Sequence, residues 1–268
     1  MRPDAGAGGS GIPGRMVELD QAGKHLLREA IGEAPETLMS QEQLRRGLCR
    51  AWVLGVPERP LAAAAVQPDA FPGDVSAYGN DAQAIFALLR SIEDWEAAAV
   101  ATAQARHVAE WLGWTTRRKV TFSREHFFAL ETPLPTLPHP AVRMLGQADL
   151  PLLEAATDPL GMGDWRFGSP QVLLAEGLAA GAVVDSALVA VAFTAALGER
   201  YVDVGIVTRE DARGQGLATS AAALVCAAIQ AGGRTPIWGT SAENAASRRV
   251  AAKLGFREVA QRVYLNLG

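Results

Sequence analysis

The sequence has little that would mark a disulfide-rich, metal-dependent or nucleic-acid-binding protein. Only 2 of its 268 residues are cysteines, too few for a disulfide framework or a thiolate metal cluster. The 4 histidines are scattered, with no pair at ligand spacing, so no metal is expected. The 25 basic and 29 acidic residues leave a net charge of −4, which gives no reason to expect a nucleic-acid partner.

Long apolar runs are also missing. No stretch approaches the roughly 18 apolar residues that cross a membrane, so no membrane partner is expected. Residues 1–15, MRPDAGAGGSGIPGR, are rich in glycine and proline and lack the apolar segment of a signal peptide. They predict a flexible leader and a cytoplasmic protein.

One proline-rich segment divides the chain. TPLPTLPHP, residues 132–140, has 4 prolines in 9 positions and can neither continue a helix nor donate hydrogen bonds along a sheet. It predicts a linker between an N-terminal domain at 16–131 and a C-terminal domain at 141–268.

Beyond this linker, strand and helix patterns alternate. This alternation predicts an α/β (α+β) fold in which helices flank a mixed sheet. The expected strands lie at 142–145, 181–196 (two strands with a turn near Asp185), 200–208, 234–242 and 258–267, and the expected helices open at 149, 170, 217 and 243.

The two parts of the chain share a sequence echo. ARHVAEWLGWTTRRKVTF (105–122) aligns with SRRVAAKLGFREVAQRVY (247–264), and a helix and then a strand precede each. The echo favours an ancient duplication, although two alanine-rich helices that each end in a glycine cap would give a similar match. The first copy is interpreted as degenerate, because the segment AFPGDVSAYG occupies the position equivalent to the glycine loop of the second copy and lacks the glycine spacing of that loop.

That glycine loop is the strongest functional signal. ARGQGLATSAAALV (212–225) follows a strand and opens a helix, so free amides and the positive end of the helix dipole suit a phosphate there. An ordinary glycine-bearing turn remains an alternative. A P-loop would need Lys-Ser/Thr after the last glycine, and a dinucleotide fingerprint would need glycine at Thr219. The pattern R-x-x-G-x-A is satisfied by Arg213, Gly216 and Ala218.

These motifs resemble those of a known family. VDVGIVTREDARGQGLATSAAALV followed by ENAASRRVAAKLGF is similar to the GNAT superfamily of acyl-CoA-dependent N-acyltransferases, over residues 141–268. TPIWGTSAENAAS further resembles a bacterial subgroup of two-part GNAT proteins. The resemblance implies a GNAT-type sheet in both halves, with coenzyme A or acetyl-CoA as acyl donor and a small-molecule amine as acceptor.

The resemblance also implies site residues. The loop would hold the pyrophosphate, the end of the preceding strand would pair with the pantetheine arm, and an amide near Ile206 or Val207 would bind the thioester oxygen. Asn244 and Ser247 would contact the cofactor arm or, equally, cap a helix. The implied cofactor-binding residues are Ile206, Val207, Thr208, Arg213, Gly214, Gln215, Gly216, Leu217, Ala218, Asn244 and Ser247.

Catalysis by direct transfer to an amine needs a base and an acid. Glu243 and Asp203 are the candidate bases, beside the Val207 amide. The tyrosine that serves as acid in the family is replaced by Ala251, so another group or water would protonate the thiolate. This departure leaves a non-catalytic acyl-CoA-binding or regulatory protein as the alternative to an N-acetyltransferase. A further hypothesis, which depends on the echo alone, is that the first half closes over the cleft as a lid and selects the acceptor.

Overall fold

The structure is a computed structural model that describes residues 15–57, 61–134, 139–161 and 167–268. Residues 1–14 of the expected leader and 135–138 of the expected linker lie outside the described residues. The strands are β1 (Met16–Glu18), β2 (Cys49–Leu54), β3 (Ala63–Pro68), β4 (Asp74–Tyr78), β5 (Ala97–Val100), β6 (Val120–Ala129), β7 (Val142–Met144), β8 (Ala179–Val184), β9 (Ala187–Leu197), β10 (Tyr201–Thr208), β11 (Thr235–Ser241) and β12 (Arg257–Leu267).

The four helices expected beyond the linker are present and begin at Leu150, Pro170, Leu217 and Ala245. Polar N-caps fix the starts of several helices, for example Asp20, whose side chain accepts the Gly23 amide, and Ser169, whose side chain accepts the Val172 amide. No helix of the described residues is long and apolar enough to cross a membrane. The helices are α1 (Gln21–Ile31), α2 (Leu38–Arg46), α3 (Ala82–Leu89), α4 (Thr102–Thr116), α5 (Leu150–Ala156), α6 (Pro170–Glu176), α7 (Leu217–Ala231) and α8 (Ala245–Leu254).

All the described strands join one mixed sheet, in the order β1-β2-β3-β4-β5-β12-β6-β11-β10-β9-β8-β7. The pairs β4–β5 and β10–β11 are parallel, and every other neighbouring pair is antiparallel. The predicted mixed sheet flanked by helices is therefore confirmed.

The two halves contribute their strands to the sheet in equivalent order. The strands of the first half, counted inward from one edge, correspond to those of the second half counted inward from the other edge. Each half runs through a strand, two helices, three strands, a helix, a strand, a helix and a last strand. Each last strand then crosses to the other half: β12 pairs with β5, β6 pairs with β11, and β6 and β12 pair with each other. This repeated topology is what a duplication would produce.

The sequence echo falls on equivalent elements, namely α4 with β6 and α8 with β12. The two helices end differently. Gly255 has φ +89° and caps α8, whereas Gly113 lies inside α4, which continues to Thr116 before Arg117 takes the left-handed conformation at φ 57°. A shared glycine cap therefore does not explain the echo.

Helix α2 of the first half packs across the second half. Leu38 at its start is 1% exposed and shares an apolar cluster with Ile237 of β11. In the loop just before α2, the Glu33 carboxylate accepts the backbone amides of residues 199–201 at 2.8–2.9 Å. The domain boundaries at 131 and 141 remain a prediction, because the sheet and these contacts run through both parts.

The exchanged strands give a test of this interdependence. We expect residues 1–131 and 141–268, expressed separately, each to aggregate, because β12 loses both its neighbours and β11 loses β6, which exposes unpaired apolar strands. Co-expression should restore a soluble heterodimer. Size-exclusion chromatography and circular dichroism of each half and of the pair measure this. A monomeric, cooperatively folded 141–268 fragment would contradict it.

Candidate functional site

A cleft opens where two parallel strands separate. Residues 201–203 of β10 pair with residues 235–237 of β11, and the β9–β10 register shifts between Asp203 and Val204. Beyond that bulge both strands continue without pairing to each other. The gap forms the floor of a cavity of about 950 Å³, which we call the cleft.

The exposed edge of β10 lines this cleft with backbone groups. The Arg209 amide donates to the Val189 carbonyl at 2.9 Å, across the β9–β10 pairing. Amides of a strand alternate in direction, so the Val207 amide also faces β9, whereas the amides of Ile206 and Thr208 face the opposite way. The edge that faces the cleft is therefore that of Ile206 and Thr208.

A row of free amides stands at the end of the cleft. Within the described residues, the backbone N–H groups of 214–219 have no protein acceptor, and the first helical bond of this region is Ser220 N–H to the Gly216 carbonyl. Gly214 and Gly216 have φ of +80° and +81°, values that favour glycine. Leu217, only 2% exposed, anchors α7 in the core. This geometry suits an anion.

Positive charge surrounds these amides. Three cationic side chains line the cleft, Arg213 from the loop and Arg249 and Lys253 from α8, and no carboxylate is among the described residues that line it. The sequence analysis missed the last two. Arg249 and Lys253 follow Ala246 at i+3 and i+7, so all three lie on one face of α8. This helical periodicity is the sequence signal that could have identified the two cations as residues of the cleft.

The far wall of the cleft is formed by β11 and α8. The Asn244 side chain accepts the Ser247 amide at 3.0 Å, so Asn244 caps α8 and also lines the cleft. The buried Trp238 indole donates to the Ser247 hydroxyl at 2.8 Å and packs edge-on against Phe256. This contact fixes the Ser247 hydroxyl at the wall.

Most of the predicted cofactor residues meet at the cleft. The predicted residues that are among those lining it are Ile206, Val207, Thr208, Arg213, Gly214, Gly216, Leu217, Ala218, Asn244 and Ser247. Gln215 is exposed and does not line it, and its side chain donates instead to the Asp211 carbonyl at 3.5 Å. Ala251, where the family has tyrosine, is fully buried in the core.

The two candidate bases lie apart. Glu243 is exposed in the turn after β11 and lines neither cavity described here. Asp203 lines a second, narrower cavity of about 140 Å³ on the opposite face of the sheet, beneath α2, which we call the central groove. Gly239 of β11 lines both the cleft and the groove, so the two spaces meet there.

The equivalent helix start in the first half is already occupied by an acid. The Asp81 carboxylate accepts the amides of Gln83 and Ala84, at 2.8 and 3.2 Å, at the N-terminus of α3. A carboxylate takes the position that an anionic ligand would otherwise occupy. This local chemistry agrees with a degenerate first half.

Neither cysteine has the properties of a nucleophile. Burial raises the pKa of the Cys49 thiol and of the Cys226 thiol to about 12, so both are protonated at neutral pH. The described residues contain no group of histidine, cysteine and acidic side chains that could hold a metal ion.

The mixed sheet with its splayed parallel pair and amide-lined loop defines the class of GNAT-fold proteins. Residues 156–264 match the family model described as GNAT acetyltransferase. Over these residues the chain is similar to the GNAT acetyltransferase family. No curated protein matches the sequence.

Solved structures share the fold over most of the chain. A GCN5-related N-acetyltransferase from Kribbella flavida is 22% identical, with a TM-score of 0.64 over 90% of this chain and 95% of that chain. A GCN5-related N-acetyltransferase-like protein from Streptococcus suis 89/1591 is 19% identical, with a TM-score of 0.63 over 92% and 100%. A tandem GNAT protein from the clavulanic acid biosynthesis pathway is 15% identical, with a TM-score of 0.59 over 94% and 97%.

The buried thiols lead to a direct prediction. We expect the native protein to release no chromophore with a disulfide thiol reagent at neutral pH, because Cys49 and Cys226 are buried and their raised pKa keeps them protonated. The same protein in guanidinium chloride should titrate both thiols. Fast reaction of one thiol in the native protein would contradict the burial.

Proposed function

We propose that this protein transfers an acyl group, most simply acetyl, from a coenzyme A thioester to a primary amine of a small molecule. The observation that carries the proposal is the free amides of 214–219 at one end of a cationic cleft whose floor is the unpaired edge of β10. A coenzyme A ester has a pyrophosphate, which would accept hydrogen bonds from the free amides of 214–219. It also has an amide-bearing pantetheine arm, which would pair with the unpaired edge of β10. The cytoplasmic location predicted from the sequence is part of this proposal.

The anion would be held mainly by the backbone. The amides of 214–219 would donate to the pyrophosphate oxygens, and the dipole of α7 and the Arg213 guanidinium would add positive charge. Arg249 and Lys253 would face the remaining phosphate charge of the donor. Asn244 and Ser247 would border the pantetheine arm.

The oxyanion role belongs to Ile206 rather than Val207 in this proposal. Acyl transfer develops negative charge on the thioester oxygen, which a fixed amide can stabilise. The Val207 amide faces β9, so Ile206 has the amide that faces the cleft. The Thr208 amide, two residues on, would pair with the pantetheine arm.

The amine would enter from the groove side of Gly239. Asp203 is the proposed base among the predicted residues, and Glu125 of β6 lines the same groove. The ammonium loses one proton to a carboxylate, and its nitrogen forms the bond to the acyl carbon. The carbon–sulfur bond breaks to release coenzyme A thiolate, and the second proton of the nitrogen passes through water to that thiolate. Glu243 is not part of this arrangement.

The thiolate would be stabilised by a hydroxyl instead of the family's tyrosine. Ser247 lies one helical turn before the buried Ala251, and its hydroxyl oxygen accepts the Trp238 indole N–H. Its own hydrogen is therefore available to the cleft. A hydrogen bond lowers the free energy of the thiolate, and water completes the protonation.

The alternative is a non-catalytic acyl-CoA-binding protein, and the alanine at position 251 is the observation in its favour. Binding and turnover separate the two. Binding with thiol release from an amine panel supports the enzyme, and binding without release from any amine supports the alternative. Because both cysteines are buried, they should add little background to a thiol assay.

The loop is tested by calorimetric titration with acetyl-CoA. We expect micromolar binding by the intact protein and, for Arg213→Glu, affinity reduced by about tenfold or more, because the variant places negative charge beside the pyrophosphate. Arg234→Glu is the matched control, since it reverses an exposed charge just past the other end of α7. Absence of binding by the intact protein, or equal losses in both variants, would refute the proposed donor site.

A further inference from the structure

The central groove has the opposite charge to the cleft. Among the described residues that line it, four are carboxylates and one is a guanidinium: Glu36, Asp74, Glu125, Asp203 and Arg262. The Arg262 guanidinium is directed at backbone carbonyls, those of Ala77 at 2.9 Å and Ala99 at 2.6 Å. The groove thus has a formal excess of negative charge and suits a cation.

The acidic groups are distributed along the groove. Asp203 is on β10, Glu125 on β6 and Asp74 on β4, so the groove crosses the sheet through both halves. From β11 to β4 there are four strand spacings, or roughly 19 Å at strand separations of about 4.8 Å. A narrow groove of this kind fits an extended molecule better than a round one.

A second, independent feature points to a ligand. Gln43 of α2 lines the groove and is 3% exposed, and no hydrogen bond among the described residues uses its side-chain amide. The amide is not among the fully buried unpartnered atoms of the described residues, so it keeps a small accessible surface through which a ligand or water can complete its hydrogen bonds. Gln43 therefore offers a polar contact that the protein itself leaves unused.

The groove ends at the reacting centre. Gly239 lines both spaces, and a Cβ placed on it would lie 3.4 Å from the Phe127 ring and 3.7 Å from Glu125 Oε1. A side chain at this position would extend into the space between these groups. Glycine keeps the passage between cleft and groove open, beside a carboxylate that can receive a proton.

We propose that the central groove binds the acceptor, and that the acceptor is a linear aliphatic amine with cationic nitrogens at more than one point along its length. One terminal nitrogen reaches the cleft at Gly239, and a distal ammonium lies towards Asp74 in the first half. The catalytic role of the groove rests on the proposed function. The first half then selects the acceptor by lining its groove rather than by closing over the cleft.

A matched pair of amines tests the proposal. Dodecane-1,12-diamine and 12-aminododecan-1-ol have the same chain, and the second has a hydroxyl in place of the distal ammonium. The extended diamine spans roughly 16 Å between its nitrogens, which is enough to reach the Asp74 side chain from Gly239. We expect the diamine to bind at least about tenfold more tightly in calorimetry, and to show higher kcat/KM with acetyl-CoA, because its distal charge meets a carboxylate.

Variants locate the distal contact. Asp74→Asn should remove most of the preference for the diamine while leaving binding of the amino alcohol and of acetyl-CoA unchanged. Glu110→Gln, on the exposed surface of α4, is the matched control and should behave as the intact protein. Should Asp74→Asn fold poorly, as shown by its thermal melting, Glu125→Gln tests the proximal end of the groove instead. Because Glu125 lies beside Gly239, this variant should weaken binding of both amines, and unchanged binding of both would contradict the groove.

The outcomes distinguish this inference from the proposed function. Diamine binding that depends on Asp74, without acetyl-CoA binding, would support the polyamine site and overturn the acyltransferase. Acetyl-CoA binding with turnover of amines, but no diamine preference, would overturn the polyamine site and leave the acyltransferase intact. A preference that Asp74→Asn and Glu110→Gln leave equally unchanged would also overturn the assignment of the groove.

Discussion

The pairing of β6 with β12 is the constraint on which the rest of the structure depends. Each of these strands is the last strand of its half in the sequence. In the sheet, however, β12 lies between β5 and β6 of the first half, and β6 lies between β12 and β11 of the second half. The exchange joins both sheets into one and holds β11 from its far side. With β11 fixed by β6 rather than by β10, the parallel pair can separate after residue 203 without leaving β11 as a free edge.

The separated ends of β10 and β11 lie between two regions of opposite charge, one on each face of the sheet. On the α7 and α8 face, Arg213, Arg249 and Lys253 surround free amides, whereas on the α2 face carboxylates line the groove. A polyanionic donor and a cationic acceptor would each find complementary charge on a separate face, and would meet only at Gly239. The sheet between them keeps the two charges apart until the reacting ends are adjacent.

The first half shares the topology of the second half but has no row of free amides at the start of its equivalent helix. Asp81 now satisfies the amides at the start of α3, and residues of β5 and α3 pack into an apolar core with Trp52 and Trp95. Its remaining contributions are mechanical and electrostatic: a strand for the other half, the α2 face, and Asp74 and Glu125 in the groove.

The sequence by itself determined the local parts: the alternation of strands and helices, the glycine loop before α7, the Asn244 cap and the echo between halves. Each depends on residues near one another in the chain, through periodicity, capping or glycine geometry. Only the tertiary structure decided that β6 and β12 are exchanged, that Ile206 rather than Val207 presents its amide, and that Asp74 and Glu125 share a groove with Asp203. Strand register and pairing across more than a hundred residues set these features, and no local pattern encodes them.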